Sequence, residues 1–406
     1  MTTPHLAKGY RFAGLHCGIR PDPDRRDLAL IVSDVPAAAA GVFTQNRVRA
    51  APVRVCQERL PADDARGVVI CSGNANACTG PRGLEDARAM TAVAARAIGC
   101  RAEQMLVCST GVIGRHLPMP QIESGILAAV PLLADTSIAF DDVAHAILTT
   151  DTRIKTATRE IDLDGVAVRL TGVAKGAAMI GPNLATMLAF VFTDAAVSSD
   201  DLAVIARRAA DQTFNCISVE GHTSTNDTLL LFANGMASSE GKGSELRTQN
   251  SELGTQRFAA AVTEVCAELA RSIAADAEGA THLITIEVEG LRDDREAYRV
   301  AKTIAESALV KTAIYGADPN WGRIVSAAGY AGVAFEEEQL SLWLGDLLLY
   351  HAGVPQLFDA ASASAYLKRE HHIQLRLRFT LGPGRCTFWT CDLTREYVRL
   401  NAEYTT

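Results

Sequence analysis

The sequence predicts an α+β protein in which helices and β-sheets form separate layers. Short stretches of alternating apolar and polar residues, typical of half-covered strands, occur in mixed order with longer helical patterns. The order of these patterns shows no steady strand–helix–strand rhythm, which argues against a doubly wound parallel sheet. With 406 residues, 48% of them hydrophobic, the chain is long enough for two or three domains or for two large lobes.

The individual elements are predicted from residue patterns and from the residues that cap them. Alternation predicts strands at 166–170, 283–289 and 373–379. Helical patterns occupy 84–98, 199–214, 254–275 and 297–314. Gly99 and Gly316 end the first and the last of these helices, and Ser198 begins the second. Residues 237–252 are polar and rich in Gly and Ser, and they predict a flexible, solvated insertion.

Charge and composition exclude several classes of function. A formal net charge of -8 gives no positive field for binding phosphate backbones, so we expect no nucleic-acid partner. The sequence contains no apolar run of the roughly 18 residues that a membrane helix needs and no signal-peptide core at its start, so we expect a cytoplasmic protein without a membrane partner. The histidines and cysteines show no metal-ligand spacing, so no metal site is predicted, and the ten cysteines are expected to be reduced core residues.

Residues 175–194 are the most informative part of the chain. A turn rich in Gly and Ala, with Pro182, leads into Thr186, and 187–192 is an apolar run typical of a buried strand. From composition alone, an ordinary buried strand entered by a tight turn is the more common interpretation. The sequence lacks the P-loop, dinucleotide-binding and nucleophile-elbow motifs, so nucleotide hydrolysis and α/β-hydrolase chemistry have no support from motifs.

Several blocks of residues together resemble one family. The stretch Lys175-Gly-x-x-Met-Ile-x-Pro-Asn-x-Ala-Thr-Met-Leu188 is similar to the self-cleaving segment of the ornithine acetyltransferases, the glutamate N-acetyltransferases known as bifunctional ArgJ proteins of arginine biosynthesis. Further blocks in the family's order cover essentially the whole chain, at 8–14, 39–47, 72–80, 109–114, 149–152, 223–228, 316–323 and 401–406. The resemblance implies a layered α+β sandwich of the type shared by ArgJ-like and DmpA-like proteins, with the active site between lobes.

The resemblance also implies that the chain cuts itself between Ala185 and Thr186. Residues 1–185 would carry the oxyanion hole and part of the substrate site, and residues 186–406 would form a second chain that begins with the nucleophile. A threonine hydroxyl alone is a poor nucleophile. Once Thr186 is N-terminal, its own α-amine, with an ordinary pKa of about 7.7–8.0, can take the proton from that hydroxyl.

Other functional residues are assigned by the same resemblance. The Thr110 hydroxyl and the Gly111 amide would stabilise the oxyanion, where one donor contributes about 3–4 kcal/mol. We expect a turn at 109–111, because the apolar run 105–107 ends there, although a strand-ending turn without catalytic function would look the same. The substrate-binding positions are Thr152, Lys175, Thr186, Glu278, Asn401 and Thr406. A surface lysine and a solvated loop carboxylate are the alternative interpretations of Lys175 and Glu278.

The sequence departs from the family pattern in four places. The family commonly has Lys where this chain has His282, Asp-Gly-Asp where it has Glu220-Gly-His222, Gly where it has Ala178, and Asn-Ser-Pro where it has Glu306-Ser-Ala308. They leave the substrate range and the pH response open, because His222 and His282 can titrate near neutral pH.

The resulting prediction is an autoprocessed acetyltransferase that moves the acetyl group of N2-acetylornithine to glutamate by way of acetyl-Thr186. Its partners would be these small molecules and further copies of the cleaved chains, in an α2β2 assembly. No cofactor is expected, and acetyl-CoA is a candidate co-substrate. Two alternatives stay open: a hydrolase or aminopeptidase that uses the same N-terminal threonine, and a non-catalytic relative.

Overall fold

A computed structural model describes residues 5–181, 187–238 and 252–403. Within these residues the elements follow in chain order as β1 Tyr10–Leu15, β2 Leu28–Phe43, α1 Ala51–Arg59, β3 Ala62–Asn74, α2 Gly80–Ile98, β4 Met105–Val112, α3 Met119–Ala129, α4 Ser137–Ala146, β5 Lys155–Leu163, β6 Val166–Lys175, β7 Leu188–Thr193, α5 Ser199–Gln212, β8 Ile217–Ser218, β9 Thr228–Ala233, α6 Glu252–Ala275, β10 Leu283–Leu291, α7 Asp294–Glu306, α8 Ala308–Tyr315, α9 Trp321–Gly329, β11 Ser341–Leu344, β12 Leu347–His351, β13 Val354–Pro355, α10 Ala360–Arg369, β14 His372–Arg378, β15 Gly384–Cys391 and α11 Arg395–Glu403. Among these helices, none has the length and the apolar character that crossing a membrane requires.

The first sheet bends back on itself. Its strands are ordered β4-β3-β2-β9-β7-β6-β5, and β1 pairs with β2. The first part of β2 pairs with β3, and the last part pairs with β9 while Ala37 and Ala39 still pair with β3. Between these parts the register shifts around the exposed Pro36, because proline has no N–H to continue the ladder. The ring of Phe192 in β7 lies 5.1 Å from Tyr10 and 6.0 Å from Phe12 in β1, which is not a neighbouring strand, so the two halves of the sheet face each other.

Three apolar layers hold the elements together. One lies between the two halves of the first sheet and contains the buried rings of Phe12, Phe192 and Phe232. Another fills the space between strands β5, β6, β7 and β9 and helices α5 and α6. The third joins the second sheet, ordered β13-β12-β11-β14-β10-β15-β8, to α7, α8 and α9. Both sheets mix parallel and antiparallel pairs, and the predicted α+β layered class is confirmed.

Most predicted elements are found, with one correction. Two of the three predicted strands lie within β6 and β10, and the third, 373–379, matches β14 except for its last residue. The first three predicted helices correspond to α2, α5 and α6. The predicted helix 297–314 is wrong, because the chain forms two helices that are separated at Ser307. The hydroxyl of Ser307 accepts the Val310 N–H and begins α8, so a new N-cap interrupts the apolar pattern.

Two other predictions concern composition. Most of the predicted insertion 237–252 lies outside the described residues; Ala237 and Ser238 belong to a short 3-10 turn, and Glu252 begins α6. All ten cysteines are free, and six of them are buried, as expected for reduced core residues, whereas Cys78 is exposed.

Candidate active site

Predicted site residues lie at one edge of the bent sheet. Lys175 ends β6 and pairs with Leu188 of β7, which pairs in turn with Thr228 of β9. The residues that precede β7 and β9 are therefore neighbours of Lys175. Between them, the Met187 N–H donates a hydrogen bond to Asp227 Oδ1 at 3.1 Å. This bond fixes the start of β7, the residue directly after Thr186.

Strands from the other half of the sheet reach the same edge. Asn226 is buried, and its Nδ2 donates hydrogen bonds to the carbonyl oxygens of Ala75, at 2.6 Å, and Ser109, at 2.8 Å. Ala75 follows β3, and Ser109 lies in β4 immediately before Thr110. One amide side chain thus joins the start of β9 to the strand that carries the predicted oxyanion hole.

Lys175 is buried beside Thr110. Its Nζ lies 3.4 Å from Thr110 Oγ1 and 4.0 Å from Asp151 Oδ2. Only 2% of Lys175 is exposed, so the alternative interpretation as a surface lysine is wrong. Burial lowers the pKa of Lys175, and the negative charge of Asp151 opposes that effect. The structure therefore places the Lys175 side-chain nitrogen next to one of the two predicted oxyanion donors.

A network of buried charges positions Lys175. Asp151 Oδ1 accepts hydrogen bonds from Lys155 Nζ at 2.7 Å and from the Gly176 N–H at 2.6 Å. Lys155 Nζ also donates to Asp276 Oδ2 at 2.6 Å. Burial alone would raise the pKa of Asp151, but the charges of Lys175 and Lys155 outweigh burial, and the pKa of Asp151 lies below its usual range. Asp151 is therefore a carboxylate throughout the neutral range.

The same network extends to the predicted substrate-binding residues after α6. Asp276 accepts hydrogen bonds from the Thr152 N–H, at 3.1 Å, and from the Thr152 hydroxyl. Two residues later, the Glu278 N–H donates to the carbonyl oxygen of Ala177 at 2.9 Å. Glu278 Oε2 accepts a hydrogen bond from Asn401 Nδ2 in α11 at 3.3 Å. Glu278 thus contacts the segment that follows β6 through its N–H and Asn401 through its side chain, whereas Thr152 contacts Asp276.

Thr110 and Gly111 lie inside β4, so the predicted turn at 109–111 is wrong. Gly111 has φ +131°, and a Cβ at this position would lie 2.3 Å from the carbonyl carbon of Gly73 in β3. Because glycine has no side chain, β3 and β4 stay close enough to continue their parallel pairing up to Val112. Only 2% of Thr110 is exposed, and its hydroxyl meets Lys175.

Residues 219–221 fix the chain that leads toward the predicted cleavage point. The N–H groups of Val219, Glu220 and Gly221 donate to the carbonyl oxygen of Ile180, at 2.7, 3.3 and 3.2 Å. On its other side, the Ile180 N–H donates to Glu220 Oε1 at 2.5 Å. Burial raises the pKa of Glu220 to about 7. Both polar groups of Ile180 are therefore held by one short loop.

Three predicted site residues, Ala185, Thr186 and Thr406, lie outside the described residues. The described chain approaches Thr186 from both sides, through Gly181 and Met187. Cleavage before Thr186, and the division into residues 1–185 and 186–406, stay predictions.

Comparison with known proteins shows which family the chain is similar to. The ArgJ family model matches residues 11–406. The arginine biosynthesis bifunctional protein ArgJ of Geobacter sulfurreducens is 46% identical over 399 residues, which make up 98% of this chain and 99% of that protein. The protein of the same name from Rhodopirellula baltica is 44% identical over 406 residues, covering 100% of this chain and 98% of that protein. A crystal structure of ArgJ from Bacillus halodurans is 41% identical, with a TM-score of 0.49, and covers 53% of this chain and 98% of that chain.

The chain belongs to the ArgJ family. Membership confirms the resemblance seen in the sequence blocks and, with it, the predicted enzyme class, an acyltransferase of arginine biosynthesis. Within the described part of this ArgJ family member, no group of three or more His, Cys, Asp or Glu side chains is arranged to hold a metal ion.

Sequence analysis does not single out several polar residues that hold the site of this ArgJ family member together. These are Asp151, Asp276, Asn226 and Asp227, all of them buried. Asp151 lies inside the block 149–152, and Asn226 and Asp227 lie inside 223–228, directly before an apolar strand. A carboxylate or an amide shortly before a strand is therefore the sequence pattern that could have identified Asp151, Asn226 and Asp227. Asp276 carries no comparable signal, because its partners are far away along the chain.

The residues that depart from the family pattern lie in different parts of the structure. His282 Nδ1 lies 2.8 Å from Asp392 Oδ2, beside the exposed Thr281. Glu220 holds Ile180, as described above. Glu306 forms an ion pair within α7, and His222 is exposed. Ala178 is partly buried, and Ala308 begins α8. Of these residues, Glu220 is the one that contacts the segment leading to Thr186.

Proposed function

We propose that this ArgJ family member transfers the acetyl group of N2-acetylornithine to glutamate through an N-terminal Thr186. The observation that supports this most strongly is the position of Lys175 Nζ, buried and 3.4 Å from Thr110 Oγ1. Thr110 and Gly111 would stabilise the oxyanion, and Lys175 would pair with a substrate carboxylate. Glu278, held by Asn401, would receive a substrate amino group.

The proposed reaction has two steps that use one pocket. The Thr186 oxygen attacks the acetyl carbonyl carbon while the α-amine takes the hydroxyl proton. The carbon–nitrogen bond to ornithine then breaks, and that proton passes to the leaving amine. In the second step, the neutral amine of glutamate attacks the acetyl ester, and the proton it loses returns to the Thr186 oxygen. Donor and acceptor share an α-amino-acid skeleton, so Lys175 and Glu278 can serve both.

Self-cleavage between Ala185 and Thr186 is part of the proposal. The hydrogen bonds of Ile180 with 219–221 and that of Met187 with Asp227 hold the described chain before and after the bond. The two products would be residues 1–185 and 186–406, associated as α2β2. We further propose acetyl-CoA as a second acetyl donor, since the relatives' names include the word bifunctional. We also propose a cytoplasmic location.

Mass spectrometry and rapid kinetics test the proposal together. Wild type should show two fragments that meet at 185/186, and Thr186→Ala should stay in one piece and be inactive. Mixing cleaved enzyme with N2-acetylornithine should release a burst of ornithine and place the acetyl group on residue 186. Full activity in an unbroken chain, or an acetyl group on another side chain, would contradict the mechanism.

The acceptor and the second donor need separate assays. Formation of acetylglutamate in preference to acetate distinguishes the transferase from a hydrolase that uses the same threonine. Release of free coenzyme A thiol in the presence of glutamate, and its loss in Thr186→Ala, tests the use of acetyl-CoA. Thiol release that persists in Thr186→Ala would refute a shared nucleophile.

A further inference from the structure

Cys216 and Cys386 bring two sulfur atoms together at one edge of the second sheet. Their Sγ atoms lie 4.0 Å apart, although the two residues are 170 positions apart in the chain. Cys216 directly precedes β8, and Cys386 lies in β15, the strand with which β8 pairs. The sulfurs of a disulfide are about 2.05 Å apart, so these two would have to approach each other by about 2 Å. Side-chain rotation covers a movement of this size.

The two cysteines differ in their access to solvent. Cys386 is partly exposed, whereas only 4% of Cys216 is exposed. Cys216 Sγ lies 3.3 Å from the carbonyl oxygen of Asp211, so its S–H has that oxygen and the Cys386 sulfur as acceptors. Small oxidants in solution therefore reach Cys386 first, and Cys216 is held within reach of the oxidised sulfur. An accessible thiol beside a second, resolving thiol is typical of cysteines that sense oxidants.

The protonation of Cys216 depends on Cys386. Their hydrogen bond is the main reason that the pKa of Cys216 is raised, and burial and negative charge on Cys386 raise it further. Cys216 therefore keeps its proton while Cys386 is reduced. Oxidation of Cys386 to a sulfenic acid removes that charge, so Cys216 ionises more easily at the stage where a thiolate has to attack.

We propose that Cys216 and Cys386 form a modification site at which hydrogen peroxide converts the two thiols into a reversible disulfide. The Cys386 sulfur attacks one peroxide oxygen, the O–O bond breaks, and a first water leaves with the proton of that thiol. The Cys216 sulfur then attacks the Cys386 sulfur, the S–O bond of the sulfenic acid breaks, and a second water carries away the Cys216 proton. The two thiols together lose two electrons, and the peroxide is reduced to two waters.

The disulfide would fasten a short strand and does not depend on the proposed acetyl transfer. β8 pairs with β15 over two residues, Ile217–Ser218, and residues 219–221 after it hold the carbonyl oxygen of Ile180. A bond from Cys216 to Cys386 would add a covalent link at the start of this strand. The same bond would restrict the unfolded chain, because it joins residues 170 positions apart, and it would thereby stabilise the folded form.

Peptide mapping of purified wild type tests the site. The protein is treated with hydrogen peroxide, its remaining thiols are blocked with N-ethylmaleimide, and it is digested without a reductant. We expect a peptide pair joined through Cys216 and Cys386 that disappears after treatment with dithiothreitol. Both cysteines lie in residues 186–406, so this result does not depend on cleavage before Thr186. The midpoint of thermal unfolding should rise by about 3 °C and return to its original value after reduction.

A second pair of neighbouring thiols provides a matched control. Cys56 and Cys108 are hydrogen-bonded to each other, but both are buried. We expect them to remain reduced at the peroxide concentration that links Cys216 to Cys386. The exposed Cys78 reports that the peroxide has acted. An equal yield of a link between Cys56 and Cys108 would show that oxidation follows opening of the protein and would overturn the assignment.

Single substitutions separate the roles of the two thiols. Cys216→Ser should leave Cys386 as a sulfenic acid, which dimedone labels, and Cys386→Ser should leave Cys216 reduced. Oxidation of Cys216 to the wild-type extent in Cys386→Ser would overturn the order of attack. A wild type in which Cys78 is oxidised but the linked peptide is missing, or in which linking fails to raise the midpoint of thermal unfolding, would overturn the proposed disulfide. These last two results come from wild type alone, so they decide even if neither variant folds.

Discussion

Two groups of charged and polar residues flank the loop that carries Glu278, and their charges respond differently to pH. The lysine cluster consists of Asp151, Lys155, Lys175 and Asp276 and lies before the loop. The histidine cluster consists of Thr281, His282 and Asp392 and lies after it. In the lysine cluster, Asp151 has a pKa below its usual range, so this carboxylate does not change charge near neutral pH. The histidine cluster contains a group whose ordinary pKa is about 6.5.

The geometry of His282 explains its response. Its Nδ1 lies 2.8 Å from Asp392 Oδ2 and its Nε2 lies 2.9 Å from the carbonyl oxygen of Leu367. Both ring nitrogens therefore face acceptors, and only the doubly protonated ring can donate to both. The hydrogen bond to Asp392 is the main reason that the pKa of His282 is raised, and burial opposes it. The comparison indicates that the charge of Asp151 beside Lys175 is fixed near neutral pH, whereas the charge of His282 on the far side of the loop can change there.

Asp151→Asn should have the largest effect, because it removes the carboxylate that two buried lysines share. Lys175 would lose its ion-pair partner, and we expect the free energy of unfolding to fall by about 3–5 kcal/mol. Urea unfolding in a Thr186→Ala background measures this, since every sample should then be a single polypeptide.

The double variant Asp151→Asn/Lys175→Met is the control for the ion pair. Removing both members leaves no unpaired ammonium at this position, so about 1 kcal/mol or more should be regained relative to Asp151→Asn. If no stability is regained, the hydrogen bonds of Asp151 with Lys155, Thr149 and Gly176 dominate, and the lysine cluster is not organised around Lys175.

Lys175→Met should reduce catalysis more than any change in the histidine cluster. Methionine fills a similar volume and removes the charge beside Thr110, so kcat/KM should fall by about 100-fold, or about 2.7 kcal/mol. Lys311→Met is the matched control, because Lys311 is also buried but donates to the carbonyl oxygen of Val219, at 2.7 Å, and to Thr390 Oγ1, at 3.1 Å. Steady-state kinetics should show at most about a threefold loss in that control. Equal losses in the two variants would mean that burying any lysine matters and that Lys175 has no special role.

Sequence patterns were sufficient to single out candidate residues that belong to a local block. Lys175 lies beside Thr110, and Glu278 lies beside Asn401. The α+β class also followed from local alternation and helical periodicity. These features depend on residues within a few positions of one another, which a single sequence displays directly.

Features that depend on distant pairing were not predictable. Lys155 and Asp276 are 121 residues apart in the chain, so no local sequence pattern indicates that the two side chains are in contact. The turn expected at 109–111 is a strand because β3, more than thirty residues earlier, continues to pair there. The single helix expected at 297–314 is two helices because one side chain, Ser307, caps a new start, a local signal that the apolar periodicity concealed.

A substitution in the loop between the lysine cluster and the histidine cluster can strain the backbone without changing a residue of either cluster. Gly279 has φ +67°, and a Cβ there would lie 2.5 Å from Tyr397 N in α11. Gly279→Ala should therefore lower the free energy of unfolding by about 2–3 kcal/mol and raise KM about threefold, because Glu278 is displaced. Gly99→Ala separates the two causes, since Gly99 has φ +80° but no atom within 4 Å of a Cβ. Thermal unfolding and kinetics should show about a 1 kcal/mol loss and an unchanged KM in Gly99→Ala.

His282→Gln should give the smallest effect and the only one that varies near neutral pH. Because the pKa of His282 is raised in the folded protein, its stabilising contribution is fully present below the unfolded pKa of about 6.5 and is lost as pH rises through the folded value. The free energy of unfolding of wild type should exceed that of His282→Gln by on the order of 1 kcal/mol at acidic pH, and the difference should shrink as pH rises above about 6.5. A series of urea titrations at different pH measures it.

Kinetics at the same pH values decides which cluster governs Glu278. If the lysine cluster alone fixes the loop, KM should follow the same pH dependence in wild type and in His282→Gln. A rise of KM in wild type at the pH where His282 loses its proton, absent from His282→Gln, would show that the histidine cluster reaches the substrate. The two clusters would then act as one unit, because the charge of His282 would be transmitted through Thr281 and Gly279 to Glu278.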